Sequence, residues 1–369
     1  MSLRYGLNLM QIKLEQLHFY NIHDIVKIQS EVSLYELEYF KCDIQVKPDL
    51  LVKVSDAIPG GLATKRRIMK PKPWDSKYLA YFEHLGSLGS KFSLDFSDLI
   101  EINVNSLISK SRNVLYVNLV EPILRFIMIS KGYALLHSAC VDFKGHGLLL
   151  SAPPDTGKTT TVLKLVKKGY AFLSDDMTLV SLPNNALCYP KPMTISAHTY
   201  KTAVEVSNNE AASRVMKIRS MVHSKGGRSF MHRLAKYNLP IFTINAWGQR
   251  IVRPPKFKIE SLLNTIKIEK NTAVKSIYFL SREGNKCEIL DTESALMTAL
   301  DNSDDAFLFP PYQDLLDHIV IKGQNASMLL AVERQILKQF LSGINCFALK
   351  SDTRSWYNMI AAYTESKVR

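Results

Sequence analysis

The stretch "GLLLSAPPDTGKTTTVLKLVKKGYAFLSDD", from Gly147 to Asp176, limits what this chain can fold into more than any other. "GLLLS" is a short apolar run bounded by turn residues, as expected of a strand buried on both faces. "TTTVLKLVKK" spaces its apolar residues as a helix does and stops at Gly169. "YAFLS" is a second buried strand, and it ends in Ser174-Asp175-Asp176. Strand, tight loop, helix and strand together predict an α/β layer. The flanks agree. "NLVEPILRFIMISKG" reads as an amphipathic helix with Pro122 in its first turn and Gly132 as its stop. "YALLHSACVDF" reads as one strand, "KGHG" as a tight turn, and "MTLVSL" and "IYFLSRE" as further strands. Residues 292–301 and 325–342 read as helices, and the tail "ESKVR" as frayed.

The loop "APPDTGK" sits between an apolar strand and a helix, which is the context a phosphate-binding loop requires. Amide N–H groups at a helix start attract anions. Lys158 would place its ammonium beside the β- and γ-phosphates of a nucleotide, and Thr159 would offer a hydroxyl to Mg²⁺. Ala152, Asp155, Thr156, Gly157, Lys158, Thr159 and Thr160 thus form the expected nucleotide contact, with ATP and Mg²⁺ as cofactors. Asp175 and Asp176 end the next strand, where a carboxylate pair suits metal binding and acid–base work. Adjacent strand residues face opposite ways, so one would serve metal and the other substrate. A turn or helix cap is the other reading of the pair. His137 has two readings as well: a core histidine with one satisfied hydrogen bond, or a member of the site.

Together these parts resemble the catalytic domain of HPr kinase/phosphorylase and its HPr-kinase-like relatives. That pattern is a His on a strand, a turn, an apolar strand, G-x-S-G-x-G-K-[ST], a helix ending in Gly, and a strand ending in Asp-Asp. "LLHSACVDFKGHGLLLSAPPDTGKTTTVLKLVKKGYAFLSDDMTLV" presents the same order. The resemblance covers about residues 118–182 and extends more weakly to about 290. It implies a fold shared with phosphoenolpyruvate carboxykinases, a P-loop kinase domain on a mixed sheet, and an ATP-dependent kinase acting on a hydroxyl of a small molecule or peptide. It further implies that Asp175 is the general base with His137 nearby, that Lys158 binds phosphate, and that Thr159 and Asp176 hold Mg²⁺.

The chain departs from the pattern at three loop positions. Ala152 replaces the first Gly, Pro154 the Ser and Asp155 the second Gly. Pro153 and Pro154 have no amide N–H to give a phosphate. A non-catalytic nucleotide-binding regulatory module is therefore the alternative to a kinase. The second signature of true HPr kinases has no convincing match, so HPr itself is not the expected substrate. In "NAWGQRIVRPPKFKIESLL", Arg250, Arg253, Lys256 and Lys258 surround a Pro-Pro turn. They suit either a clamp on a phosphoryl group or a solvated basic loop. The basic segment 214–236, with Gly226-Gly227, reads as a mobile lid.

Lys and Arg number 47 against 34 Asp and Glu, a net charge of +13. Such a balance attracts nucleic acid, anionic membrane or phosphorylated ligands, and also suits an ordinary soluble protein. No aromatic-basic RNA motif or recognition-helix pattern favours nucleic acid. Five dispersed cysteines and no CxxC predict no disulfide framework or zinc site, and a cytoplasmic protein. The first twenty residues lack a secretory h-region and cleavage site. "LVEPILRFIMI" is interrupted by Glu121, Pro122 and Arg125 and is too short to span a bilayer, so no membrane contact is expected. Three regions are expected: a β-rich N-terminal domain over 1–115, a kinase-like domain over 116–345 and a C-terminal tail or helix over 346–369. "KCDIQVKPDLLVKV" and "KFSLDFSDLIEINVN" carry the strand signature in the first, and "IPGGLATKRRIMKPKPW" reads as a loop between them. Oligomeric state, including a homo-oligomer, stays open.

Overall fold

The computed structural model describes residues 17–43, 47–58, 67–69, 78–83, 85, 88–153, 156–195, 199, 202, 239–251, 254–263, 265–307 and 311–368. The chain is mixed α/β and divides into two compact units. Neither is a single sequence block. The first takes residues 1–127, 228–252 and 309–326, and the second the rest. The boundary therefore falls inside a helix, not at 115, and later segments return to the first unit.

The first unit holds an eight-stranded sheet. Its strands are β1 (His18–Ile22), β2 (Val26–Ser30), β3 (Lys41–Cys42), β4 (Leu50–Val54), β5 (Arg67–Met69), β6 (Tyr78–Phe82), β7 (Lys91–Phe96) and β8 (Ile100–Val104). Their order is β3-β1-β2-β4-β8-β7-β6-β5, with β2–β4 and β4–β8 parallel and the rest antiparallel. The alternation read in "KFSLDFSDLIEINVN" is met in β8, where Ile100, Ile102 and Val104 are buried on one face. β5 lies in a stretch expected to be loop; its three residues pair with β6. After β8 come α1 (Ser106–Lys110), α2 (Arg112–Leu115), a π turn at Tyr116–Val120, and α3 (Glu121–Ile129). α5 (Ile241–Ile251) joins this unit through buried polar contacts. The Glu83 carboxylate accepts from the amides of Phe242 (3.2 Å) and Thr243 (2.7 Å) at the start of α5. Ser111 Oγ donates to the Ala246 carbonyl (2.8 Å). α8 (Tyr312–Leu315) and the hairpin β19 (Val320–Ile321) and β20 (Gln324–Asn325) also belong here.

The second unit is built on a nine-stranded sheet. Its strands are β9 (Ala134–Leu136), β10 (Ala139–Phe143), β11 (His146–Ser151), β12 (Ala171–Ser174), β13 (Thr178–Ser181), β14 (Asn185–Leu187), β17 (Asn271–Ser281), β18 (Asn285–Ile289) and β21 (Asn345–Ser351). A separate pair, β15 (Met193–Thr194) and β16 (Lys256–Phe257), is antiparallel. β11, β17 and β21 are parallel neighbours at the centre. Alternate residues of these strands enter two different apolar clusters. Leu148, Leu150, Tyr278, Leu280, Phe347 and Leu349 pack with α4 (Lys158–Lys167), α6 (Ile259–Leu262) and α10 (Trp356–Val368). Leu149, Ile277, Phe279 and Cys346 pack with α7 (Thr292–Ala306) and α9 (Ala326–Ser342). Both faces of the sheet are thus covered by helices, which is why "GLLLS" is apolar throughout.

Two expectations need correction here. "YALLHSACVDF" is two strands, not one. β9 pairs with β13, β10 pairs with β11 and β12, and His137 and Ser138 lie at the break. The tail "ESKVR" is not frayed as far as Val368: the C-terminal segment expected as a tail or helix is the end of β21 followed by helix α10 (Trp356–Val368). β21 completes the sheet core, and Trp356 and Ile360 of α10 are fully buried. Among the described residues, no helix is long and apolar enough to cross a membrane.

Candidate functional site

β11 delivers the chain into the loop at the carboxyl end of the central strands, and α4 begins at Lys158. Ala152 is fully buried in the core, so the first loop position is filled by packing. Pro153 is exposed, and its carbonyl accepts from the Thr156 amide (3.3 Å). Pro154 and Asp155 lie outside the described residues. Gly157 has φ +132°, open to glycine but strained for other residues. It is the N-cap of α4, and among the described residues no side chain caps the helix start. Amides at such a helix start attract anions. Thr160 is partly exposed in that first turn, and Thr161 Oγ1 donates to the Gly157 carbonyl (3.1 Å).

Around this helix start the structure gathers a charge cluster, all within the second unit. Lys158 Nζ is buried and has no hydrogen-bond partner among the described residues. Burial pulls its pKa down, and Lys191 adds to this, against the support of Asp176 and Asp175. Thr159 Oγ1 donates to Asp175 Oδ2 (2.9 Å). Asp175 Oδ1 is buried without a partner among the described residues. Burial is the main cause that pushes the Asp175 carboxyl up to about 6; Asp176 adds to it and Lys158 opposes it. Asp176 is half-exposed, and its oxygens are divided between two partners. Oδ2 takes an ammonium proton from Lys191 (2.7 Å), and Oδ1 faces His137 Nε2 at 3.6 Å. Desolvation opposes its ionisation, yet Lys191, His137 and Lys158 together hold it well below the usual carboxylate range.

His137 sits at the break between β9 and β10, and its ring is fixed from behind. Nδ1 donates to the Asn302 carbonyl (2.7 Å), which turns Nε2 towards Asp176 Oδ1. Burial, then Lys158, lowers its pKa, while Asp176 works against them. A buried polar chain holds the break. Asn302 Nδ2 donates to Ser151 Oγ (3.0 Å), and Ser151 Oγ donates to the His137 carbonyl (3.1 Å). Ser138, Ser174 and Thr178 interlink below the acidic pair. Each hydroxyl there is hydrogen-bonded, as burial demands.

His137, Lys158, Thr159, Asp175 and Asp176 are therefore brought together. Thr159 meets Asp175 directly, whereas Asp176, its expected partner in metal binding, is engaged by Lys191 and His137. Arg250 belongs to the first unit, where its guanidinium lies 5.2 Å from the Trp247 ring; the cluster is built without it. Arg253 and the expected lid at 214–236 lie outside the described residues. Four residues of the site were not singled out from sequence. They are Lys191, Asn302, Arg282 and Trp356. Arg282, just past β17, donates from Nε and Nη2 to the Thr156 carbonyl, both at 3.2 Å. Trp356 packs under Gly157 and donates Nε1–H to the Leu349 carbonyl (3.1 Å). None stands in a motif; only the order of the strands brings them to the loop. No family model and no curated protein sequence matches the chain.

Proposed function

We propose that the second unit is an ATP-dependent phosphotransferase of the HPr-kinase-like, phosphoenolpyruvate-carboxykinase-like kind, working in the cytoplasm. It moves the γ-phosphoryl group to a hydroxyl of a small molecule or peptide. One observation carries the reading: among the described residues, a buried ammonium and a buried carboxylate oxygen, neither with a partner, share one cluster at a helix start that no side chain caps. Burying either without a ligand costs free energy, and an anion for Lys158 and a proton or cation for Asp175 would recover it.

The donor set fits the cofactors. Lys158 and the first amides of α4 suit a phosphate chain. Thr159 Oγ1 and Asp176 Oδ1, a hydroxyl and a carboxylate oxygen, are hard ligands for Mg²⁺. Among the described residues no group of three or more His, Cys, Asp or Glu is placed to hold a metal ion, so the remaining ligands would come from phosphate and water. When bound, Mg²⁺ would neutralise charge on the phosphate oxygens. Asp175, raised to about 6, is ionised at neutral pH yet basic enough to accept the acceptor hydroxyl's proton at Oδ1. Thr159 Oγ1, bonded to Oδ2, fixes the orientation of that carboxylate.

The exposed, amide-less Pro153 and the buried Ala152 favour a second reading, a regulatory module that binds nucleotide without transfer. Labelled ATP, a metabolite and peptide extract, and Mg²⁺ present or absent separate the two. Mg²⁺-dependent labelling of an acceptor, abolished in Lys158→Ala, is the expected result. ATP binding without transfer would establish the second reading, and no ATP binding would overturn both.

A further inference from the structure

β18 ends its side of the nine-stranded sheet, and among the described residues it pairs only with β21. The Leu290 amide donates to the Cys346 carbonyl (2.9 Å), one residue beyond the pair Ile289–Phe347. Antiparallel bonding alternates, so Lys286 and Glu288 turn their amides to β21, while Asn285, Cys287 and Ile289 turn theirs to the open edge. The strand stands in solvent: Asn285, Lys286 and Cys287 are exposed, and Ile289 is 83% exposed. Open backbone groups along an edge are a template for another strand.

Side chains decide which strand. Lys286 lies directly opposite Lys350 of β21, a like-charge pair that costs stability. Glu288 shares their face; its Oε1 pairs with Lys286 Nζ and its Oε2 with Lys350 Nζ (3.3 Å). A second β18 laid antiparallel along the edge, Cys287 facing Cys287, sets each Lys286 beside the other copy's Glu288. That carboxylate then offsets the repulsion between Lys286 and Lys350. Centring the pairing on Lys286 or on Glu288 instead sets like charges face to face. Centring it on Asn285 or Ile289 leaves both charges opposite uncharged residues. The favoured register also joins the outward amides and carbonyls of Asn285, Cys287 and Ile289 to their counterparts. On the other face Cys287 lines an apolar cavity with Met359 and Tyr363 of α10, and there Ile289 extends diagonally towards the other copy's Cys287.

We propose that the outer edge of β18 binds a second copy of this chain, the two strands running antiparallel about a two-fold axis at Cys287. The surface is self-complementary, as a two-fold interface requires. The test is sedimentation velocity of the full chain over a dilution series reaching about 0.5 mM, because so short a contact falls in the weak class of interfaces. Wild type should pass from monomer to dimer. Lys286→Glu and Glu288→Lys each set like charges opposite one another at both ends, so each should weaken the dimer by about tenfold. Mixing these two variants should restore it, since every Glu then meets a Lys, and the double reversal should restore it within one chain. A fold defect in either chain would not be cured by adding the other. Three results would overturn the inference: a wild type that stays monomeric, a dimer unchanged by either reversal, or a loss that neither mixing nor the double reversal repairs.

Discussion

Gly157→Ala is the most direct probe of how the loop is held. A Cβ built on Gly157 falls 2.8 Å from Cζ3 of Trp356, with Cη2 and Cε3 at 3.6 and 3.7 Å. Carbon atoms pack comfortably only from about 3.5 Å outward. Trp356 cannot retreat, because it is fully buried and its Nε1 is bonded to the Leu349 carbonyl. Overpacking of this kind costs about 1–3 kcal/mol. The φ of +132° adds backbone strain of about 1–3 kcal/mol once a Cβ is present. Together they amount to roughly 2–6 kcal/mol, and each kcal/mol lowers Tm by about 2–4 °C for a unit of this size. Part of that is relieved by lifting the start of α4, which displaces Lys158, so ATP affinity falls with stability. Thermal unfolding and calorimetry read the two effects. Trp356→Phe in the same chain removes the colliding ring edge. The double variant should therefore be less destabilised than the two single changes summed, while the strain contribution remains. A Gly157→Ala protein that melts within about 1 °C of wild type would refute the reasoning.

Asp175 predicts two pH effects. Phosphoryl transfer should rise as pH climbs through about 6, where the base ionises, and Asp175→Asn should lose transfer but keep ATP binding. Because the folded-state value lies above the unfolded 3.8, the proton's stabilisation is full below pH 3.8 and is lost as pH rises through about 6. That is worth about 3 kcal/mol at most, and denaturant titrations at pH 4 and 7 should show Asp175→Asn losing this dependence. Arg282→Ala removes both donors to the Thr156 carbonyl, and it should weaken ATP binding several-fold in calorimetry with little change in melting. Trp356→Ala should cost about 3–5 kcal/mol in urea unfolding, since α10 is core; a near-neutral result would refute the packing of α10 into that core.

Much of the site was legible locally. The apolar run Leu148–Leu150, the helical spacing after Lys158 and the strand ending in Asp175-Asp176 are short-range patterns, and each formed the element expected. Lys158, Thr159 and the acidic pair stand out by residue type and spacing, and the structure gathers them at one helix start. Other features are properties of the sheet. His137 lies at a strand break because β9 and β10 pair with different neighbours, a choice made by β13, β11 and β12 and not by "LLHSAC" itself. Lys191, Arg282, Asn302 and Trp356 come from four separate segments, and no spacing rule links them to the loop. Sequence periodicity reports which face of an element is buried, because side chains repeat every two or 3.6 residues. Which strands become neighbours depends on packing between distant segments. The residues that determined this protein were therefore two sets: the loop, its lysine and its acids by sequence alone, and the second ammonium, the loop clamp and the ring beneath Gly157 only by tertiary structure.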